Sequence, residues 1–93
     1  MRVSFWIPGP LTLLTSGRNS VAVEPSGGTL LDALEALFAA YPGIRDRVLT
    51  EQGEIREHVN VFVGKDETRS TGGLTTPLTD GDVISIIPAI SGG

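Results

Sequence analysis

Cysteine is absent from this sequence, and histidine occurs once, as His58. Without a thiol there is no disulfide framework, no thiolate nucleophile and no Cys-ligated metal site. A single histidine also removes His-rich metal centres and any catalysis that calls on a second one. Ordinary enzyme chemistry therefore has few candidate residues. Long apolar runs are missing too: none approaches the ~18 residues of a membrane span. The N-terminal residues lack the pattern of a secretory signal. The expectation is a cytoplasmic protein with no membrane partner. Basic residues are scarce, with 7 Lys and Arg against 11 Asp and Glu and a net charge of −4. That balance argues against a nucleic-acid partner, because phosphate binding needs clustered Lys and Arg. It suits partners with basic docking surfaces, although acidity is ordinary for a soluble domain.

What remains is the material of one small domain. The 93 residues are 40% hydrophobic and 19% charged, the balance of a folded chain rather than a disordered one. A chain of this size buries roughly two thirds of its unfolded surface, so nearly every apolar residue is needed for a single core.

Hydrophobic periodicity divides the chain. Val3, Phe5 and Ile7 alternate with Ser4 and Trp6, which is strand spacing, and Pro8-Gly9-Pro10 closes the run. A loop with Gly17 and Asn19 as turn residues leads to a second strand over Ser20 to Glu24, stopped by Pro25. The two are expected to pair antiparallel. Thr29 is a plausible helix N-cap, with Asp32 making a weaker form of the capping box. Leu30, Leu34, Leu37, Phe38 and Tyr41 recur at helical spacing, Leu31 widens the stripe, and Tyr41-Pro42-Gly43 ends it. Residues 44–49 add at most one further turn. Val59, Val61 and Val63 alternate with Asn60 and Phe62 as a third strand. Gly64 to Glu67 then reads as a tight turn into a short strand near Thr68-Arg69. Asp80-Gly81 signals another turn before a last strand over Asp82 to Pro88, with Ile84 and Ile86 on one side and Val83, Ser85 and Ile87 on the other. The order is β-β-α-β-β-β: an α+β domain of two layers, one helix against one sheet.

Candidate chemistry within this frame is sparse. Gly72-Gly73 lacks the Lys-Ser or Lys-Thr of a phosphate loop, and Gly27-Gly28 lacks the rest of a dinucleotide fingerprint; both read as turns. Asp66, Glu67, Asp80 and Asp82 lie in or beside turns, where carboxylates bond the local backbone. His58 begins a strand and reads as structural or exposed. The end of the sequence is different. Past Pro88 it runs Ala89-Ile90-Ser91-Gly92-Gly93. Five extended residues reach at most ~18 Å, enough to enter a narrow channel in another protein. Glycine has no Cβ, so partner atoms can close around the backbone and approach the carboxylate from any side. On composition alone a frayed terminus is the stronger account of this stretch.

Longer patterns decide for the other account. Asp80-Gly81-Asp82, the strand Val83 to Ile87 and the ending Pro88 to Gly93 resemble the C-terminal signature of the ubiquitin-like sulfur carriers. That family includes the small subunit of molybdopterin synthase and the thiamine-pathway carrier. The run His58 to Val63, then Arg69-Ser70, Gly72-Gly73-Leu74 and Leu78, is similar to its cysteine-biosynthesis branch. The resemblance covers most of the chain and is strongest from His58 onward. It implies a β-grasp (ubiquitin-like) fold: one main helix packed on a mixed sheet of four to five strands, the first and last of them parallel and central. Residues 1–88 would form the domain and 89–93 a flexible tail.

The resemblance also implies a carrier acted on by enzymes rather than an enzyme. Gly93 would be the site of adenylation and of covalent sulfur attachment, with Gly92, Ser91 and Ile90 as the tail that delivers it. The partners implied are an adenylyltransferase/sulfurtransferase of ubiquitin-activating type, using ATP and Mg, and a sulfur-accepting synthase that carries pyridoxal phosphate in the cysteine pathway. A zinc peptidase would release the product there. The chain itself would bind no cofactor or metal and would be a monomer when free. Two other readings stay open: a protein modifier joined to lysines through Gly93, and a β-grasp binding module. Strand alternation adds one expectation about docking. If Val3, Phe5 and Ile7 face the helix, then Trp6, Phe62 and Ile87 share the opposite face of the sheet, near where the tail leaves. Such a cluster of apolar residues marks an interaction site.

Overall fold

The alternation of apolar and polar residues builds the sheet and decides which of its faces the helix covers. The computed structural model describes residues 1–88. Strand β1 (Val3–Trp6) buries Val3 and Phe5, and Ile7 continues the buried row just beyond it. Where a loop was expected, Gly9–Leu14 winds into 3₁₀ turns that bury Leu11, with proline at the start where its missing N–H costs nothing. Thr15 closes this connection from inside: its side chain is fully buried and donates to the carbonyl of Arg18 at 2.7 Å. Strand β2 (Ser20–Val23) then pairs antiparallel with β1, Phe5 opposite Val21 and Trp6 opposite Ser20.

Helix α1 (Leu30–Ala40) starts where the Thr29 signal places it. The capping box is complete rather than weak: the Asp32 N–H donates to Thr29 Oγ1 at 3.3 Å, and the Thr29 N–H donates to Asp32 Oδ2 at 3.2 Å. Leu30, Ala33, Leu34, Leu37 and Phe38 are buried against the sheet, while Leu31 lies half-buried on the flank. Proline ends the helix as expected. A 3₁₀ turn over Pro42–Ile44 and a single turn, α2 (Arg45–Val48), follow, burying Ile44 and Val48.

Strand β3 (Val59–Val63) buries Val59 and Val61, leaves Asn60 exposed and holds Phe62 and Val63 half-buried. A two-residue turn, with Gly64 at φ +60°, joins it to β4 (Asp66–Glu67). The short strand thus lies two residues before the expected Thr68-Arg69, which belong to a 3₁₀ turn over Thr68–Ser70. Another such turn, Gly73–Thr75, leads to β5 (Val83–Pro88), whose Ile84 and Ile86 are fully buried.

The strand order is β2-β1-β5-β3-β4. β5 lies at the centre, parallel to β1 and antiparallel to β3, while β4 pairs antiparallel with the outer edge of β3. Helix α1 covers the face that carries Phe5, Val61, Ile84 and Ile86. This is the β-grasp arrangement the sequence patterns imply, with five strands.

Ile84 occupies the middle of that core with no exposed surface, so Ile84→Ala should lower unfolding free energy by about 2–5 kcal/mol. Urea denaturation followed through Trp6 fluorescence measures it. A loss below about 1 kcal/mol would mean that the core collapses around the deletion rather than holding its shape.

Candidate functional site

Three features meet at one end of the sheet: its uncovered face, the end of β5 at Pro88, and an arginine that braces the neighbouring strand. The uncovered face carries the side chains that alternate with the core. Trp6 and Ile87 are 45% and 36% exposed, and Phe62 is half-buried. Ser85 stands opposite Trp6 on one side and Phe62 on the other, so the two aromatics share a cross-strand row with a serine between them. With strands ~4.8 Å apart, they flank that serine at roughly 10 Å from each other. Ile87 is on the same face, two residues along β5 and opposite Asn60. Val83, which the sequence reading did not single out for docking, is 49% exposed at the other end of the same strip. Its signal was already present: alternation puts it on the side of Ile87.

The exit from β5 follows from hydrogen-bond parity. The Gly64 N–H donates to the Val83 carbonyl at 2.8 Å, and these residues continue the β3–β5 register. In an antiparallel pair, opposed residues alternate between exchanging both backbone hydrogen bonds and exchanging none. Phe62–Ser85 and Asn60–Ile87 are therefore the bonded pairs, and Val59–Pro88 is a non-bonded one. Proline, which has no N–H to donate, stands where none is required. Asn60–Ile87 is the last bonded pair of β5 among the described residues. Gly93, expected to be the attachment residue, and Gly92, Ser91 and Ile90, expected to form the tail, lie outside the described residues.

The sequence places Arg69 within the family pattern and gives it no role. Continuing the β3–β4 register, in which Phe62 faces Glu67, would set Arg69 opposite Asn60. The strand has ended by then, and the Arg69 side chain takes the place of the missing backbone. Nη1 donates to Asn60 Oδ1 at 2.9 Å and to Glu67 Oε1 at 3.0 Å. Nη2 donates to the carbonyls of Arg56, Glu57 and Val59 at 2.9, 3.2 and 2.8 Å. The planar guanidinium fork can meet this many acceptors, whereas an ammonium cannot. Glu67 completes the brace. The Arg69 backbone N–H, which donates to Oε2, is the main cause that holds its carboxyl below the usual 4.5. The guanidinium adds to that effect, and partial desolvation opposes it. No motif search from the sequence could find this cluster, because its acceptors are mostly backbone carbonyls that only the fold assembles.

The other candidate residues have local structural roles. Asp80 Oδ1 accepts from the Arg2 N–H at 2.8 Å, and Asp82 Oδ2 accepts from the Thr79 N–H at 2.8 Å. Gly72-Gly73 forms a turn with left-handed φ values of +118° and +59°. His58 is exposed. Among the described residues no three His, Cys, Asp or Glu side chains converge where a metal ion could bind. No helix among them is long and apolar enough to cross a membrane.

Comparison with known proteins brings the tail and the fold together. The profile of the ThiS family matches residues 6–93. The sulfur carrier protein CysO of Mycobacterium tuberculosis is 38% identical over 95 aligned positions, which cover all of both chains. A chain of the crystallised BexX/CysO complex of Amycolatopsis orientalis superimposes with a TM-score of 0.87 at 34% identity, over 98% of this chain and 99% of that one. The small archaeal modifier protein 1 of Haloferax volcanii superimposes with a TM-score of 0.85 at 29% identity, over the full length of both.

The depressed Glu67 pKa sets the sign of a pH effect. Its contribution to stability is fully present above about pH 4.5 and is lost as pH falls through the lower, folded-state value. Glu67→Gln should therefore be less stable than the parent at neutral pH, and the two urea midpoints should converge as pH falls below the folded-state value. A difference that persists unchanged at acid pH would show that the carboxylate charge contributes nothing to the brace.

Proposed function

The chain belongs to the ThiS family, and on that premise we propose that it is a sulfur carrier which bears sulfur as a thiocarboxylate on Gly93. The observation that supports this most is the match over the whole of both chains to a sulfur carrier protein, with Gly92-Gly93 inside the region the family profile matches. The chemistry suits a chain with no thiol of its own. A carboxylate is a poor electrophile until one oxygen is made a leaving group. Attack of the Gly93 carboxylate on the α-phosphate of ATP, within an adenylating partner, gives an acyl-adenylate and pyrophosphate. A sulfur nucleophile then displaces AMP and leaves C–S in place of C–O, a much stronger nucleophile for the next acceptor. ATP and Mg are substrates and cofactors of the partner, not of this chain. The acceptor is an activated small molecule, such as a cysteine precursor held on a pyridoxal-phosphate enzyme, with a zinc peptidase freeing the product.

We assign docking to the uncovered face: Trp6, Phe62 and Ile87, extended by Val83. An apolar cluster beside the exit of β5 lets a partner hold the domain while the tail reaches its active site. The complex in which the Amycolatopsis CysO is seen supports a role built on partner binding. A second reading, conjugation to protein lysines through Gly93, has its own support in the likeness to the archaeal modifier protein.

Intact-mass spectrometry after incubation with the adenylating partner, ATP and a sulfur donor tests the proposal. The expected product is heavier by the difference between one sulfur and one oxygen atom, and deletion of Gly93 should prevent it. Ladders of protein adducts would favour the modifier, and an unchanged mass would end the carrier reading. For docking, Ile87→Asp should weaken partner binding by about 2 kcal/mol or more, as central interface residues do. The urea midpoint should barely move, because Ile87 lies outside the core. A large stability loss with normal affinity would place Ile87 in the core instead.

A further inference from the structure

The Arg69 brace and the last bonded pair of β5 meet at the same residue, Asn60. On one edge, the Asn60 backbone faces Ile87 in the last bonded pair of β5 among the described residues. On the other side, the Asn60 side chain and the carbonyls of Arg56, Glu57 and Val59 are all gathered by a single guanidinium. By parity, the Val59 carbonyl points away from β5, toward an edge where β4 has already ended at Glu67. Without Arg69 that edge would end in unpaired backbone, and the segment entering β3 would be free to fray. The segment's only other described ties are the Arg56 N–H to the Val48 carbonyl at 2.9 Å, Arg56 Nε to the Asp46 carbonyl at 2.6 Å, and the Val59 N–H to the Arg56 carbonyl at 3.0 Å.

We infer that Arg69 is a positioning residue for the reaction at Gly93: by fixing residues 56–60 it holds the Asn60–Ile87 pair, and so sets the point and direction from which the tail is presented to a partner. This rests on the sulfur-carrier reading. The effect assigned to Arg69 passes through the strand beside β5. The planar fork is the property required. A lysine at this position keeps the charge and loses the geometry.

Two measurements on Arg69→Ala and Arg69→Lys test it. The first is amide hydrogen exchange at Ile87, with Ser85, whose bonded partner Phe62 is not in the brace, as the internal reference. Exchange at Ile87 should quicken by about tenfold or more in both variants, with Ser85 little changed. The second is the rate of loading at saturating adenylating partner, measured alongside the Kd for that partner. At saturation loading should slow by about tenfold or more, beyond any change in Kd that comes from Ile87 itself, because the presentation of the reacting group is what is degraded. Loss of a purely structural role would quicken exchange across the sheet as a whole and leave the rate per bound carrier unchanged. Unchanged exchange at Ile87 overturns the inference, as does faster exchange with loading at the parental rate. Failure of the parent protein to gain sulfur would instead overturn the carrier reading, and the role of Arg69 in the reaction with it; the exchange result would still report whether the brace holds the pair.

Discussion

The pairing of β5 between β1 and β3 joins what would otherwise be two separate hairpins, β1–β2 and β3–β4. An isolated hairpin is marginally stable in water, and neither of these has a face wide enough to hold the helix alone. Inserting β5 supplies Ile84 and Ile86 to the centre of the core and creates one continuous surface for Leu30, Leu34 and Leu37 of α1. The same insertion puts Ser85 between Trp6 and Phe62 on the opposite face, with Val83 and Ile87 along the same strip. Core and candidate interface are thus two sides of one strand. Strand alternation keeps them apart, and a shift of a single residue in register would exchange them.

Most of this was legible in the chain, because the signals were local. The stripe of Leu30, Leu34, Leu37 and Phe38 behind a Thr29–Asp32 capping box defines the helix without reference to anything distant. The alternations at Val3 to Ile7, Val59 to Val63 and Val83 to Ile87 assign faces as well as strands. The failures have a common cause. The 3₁₀ turns at Gly9–Leu14 carry no periodic pattern, and they are held by the burial of Leu11 and Thr15 against elements far along the chain. The misplacement of β4 by two residues comes from the same source. Arg69 looks like part of a strand from its neighbours, yet its guanidinium, not its backbone, completes the sheet edge. Its role depends on carbonyls from a segment ten or more residues away, which no spacing rule registers.

The candidate site shows the same contrast. The residues of the uncovered face could be named from alternation alone, since a face is a property of a strand. The brace could not, since it is a property of the edge between two elements. The tail is a third case: Gly92-Gly93 is legible only as a pattern shared with a family, because glycine carries no side-chain chemistry to reason from. The ThiS family profile and the full-length likeness to a sulfur carrier give that pattern its meaning.

The central position of β5 also bears on how the protein comes into being. Every other described element precedes it in the chain, so a ribosome makes β1, β2, α1, β3 and β4 before the strand that joins them. Domains ordinarily fold as units during synthesis, and the contacts between β1 and β5 span nearly the whole described length. A growing chain that lacks β5 has two loose hairpins and an uncovered helix face, with nothing to set their relation. The fold therefore acts as its own proofreading step: a molecule truncated before β5 lacks the strand that joins the hairpins and carries Ile84 and Ile86 into the core. Only chains synthesised through β5 would carry the proposed docking face.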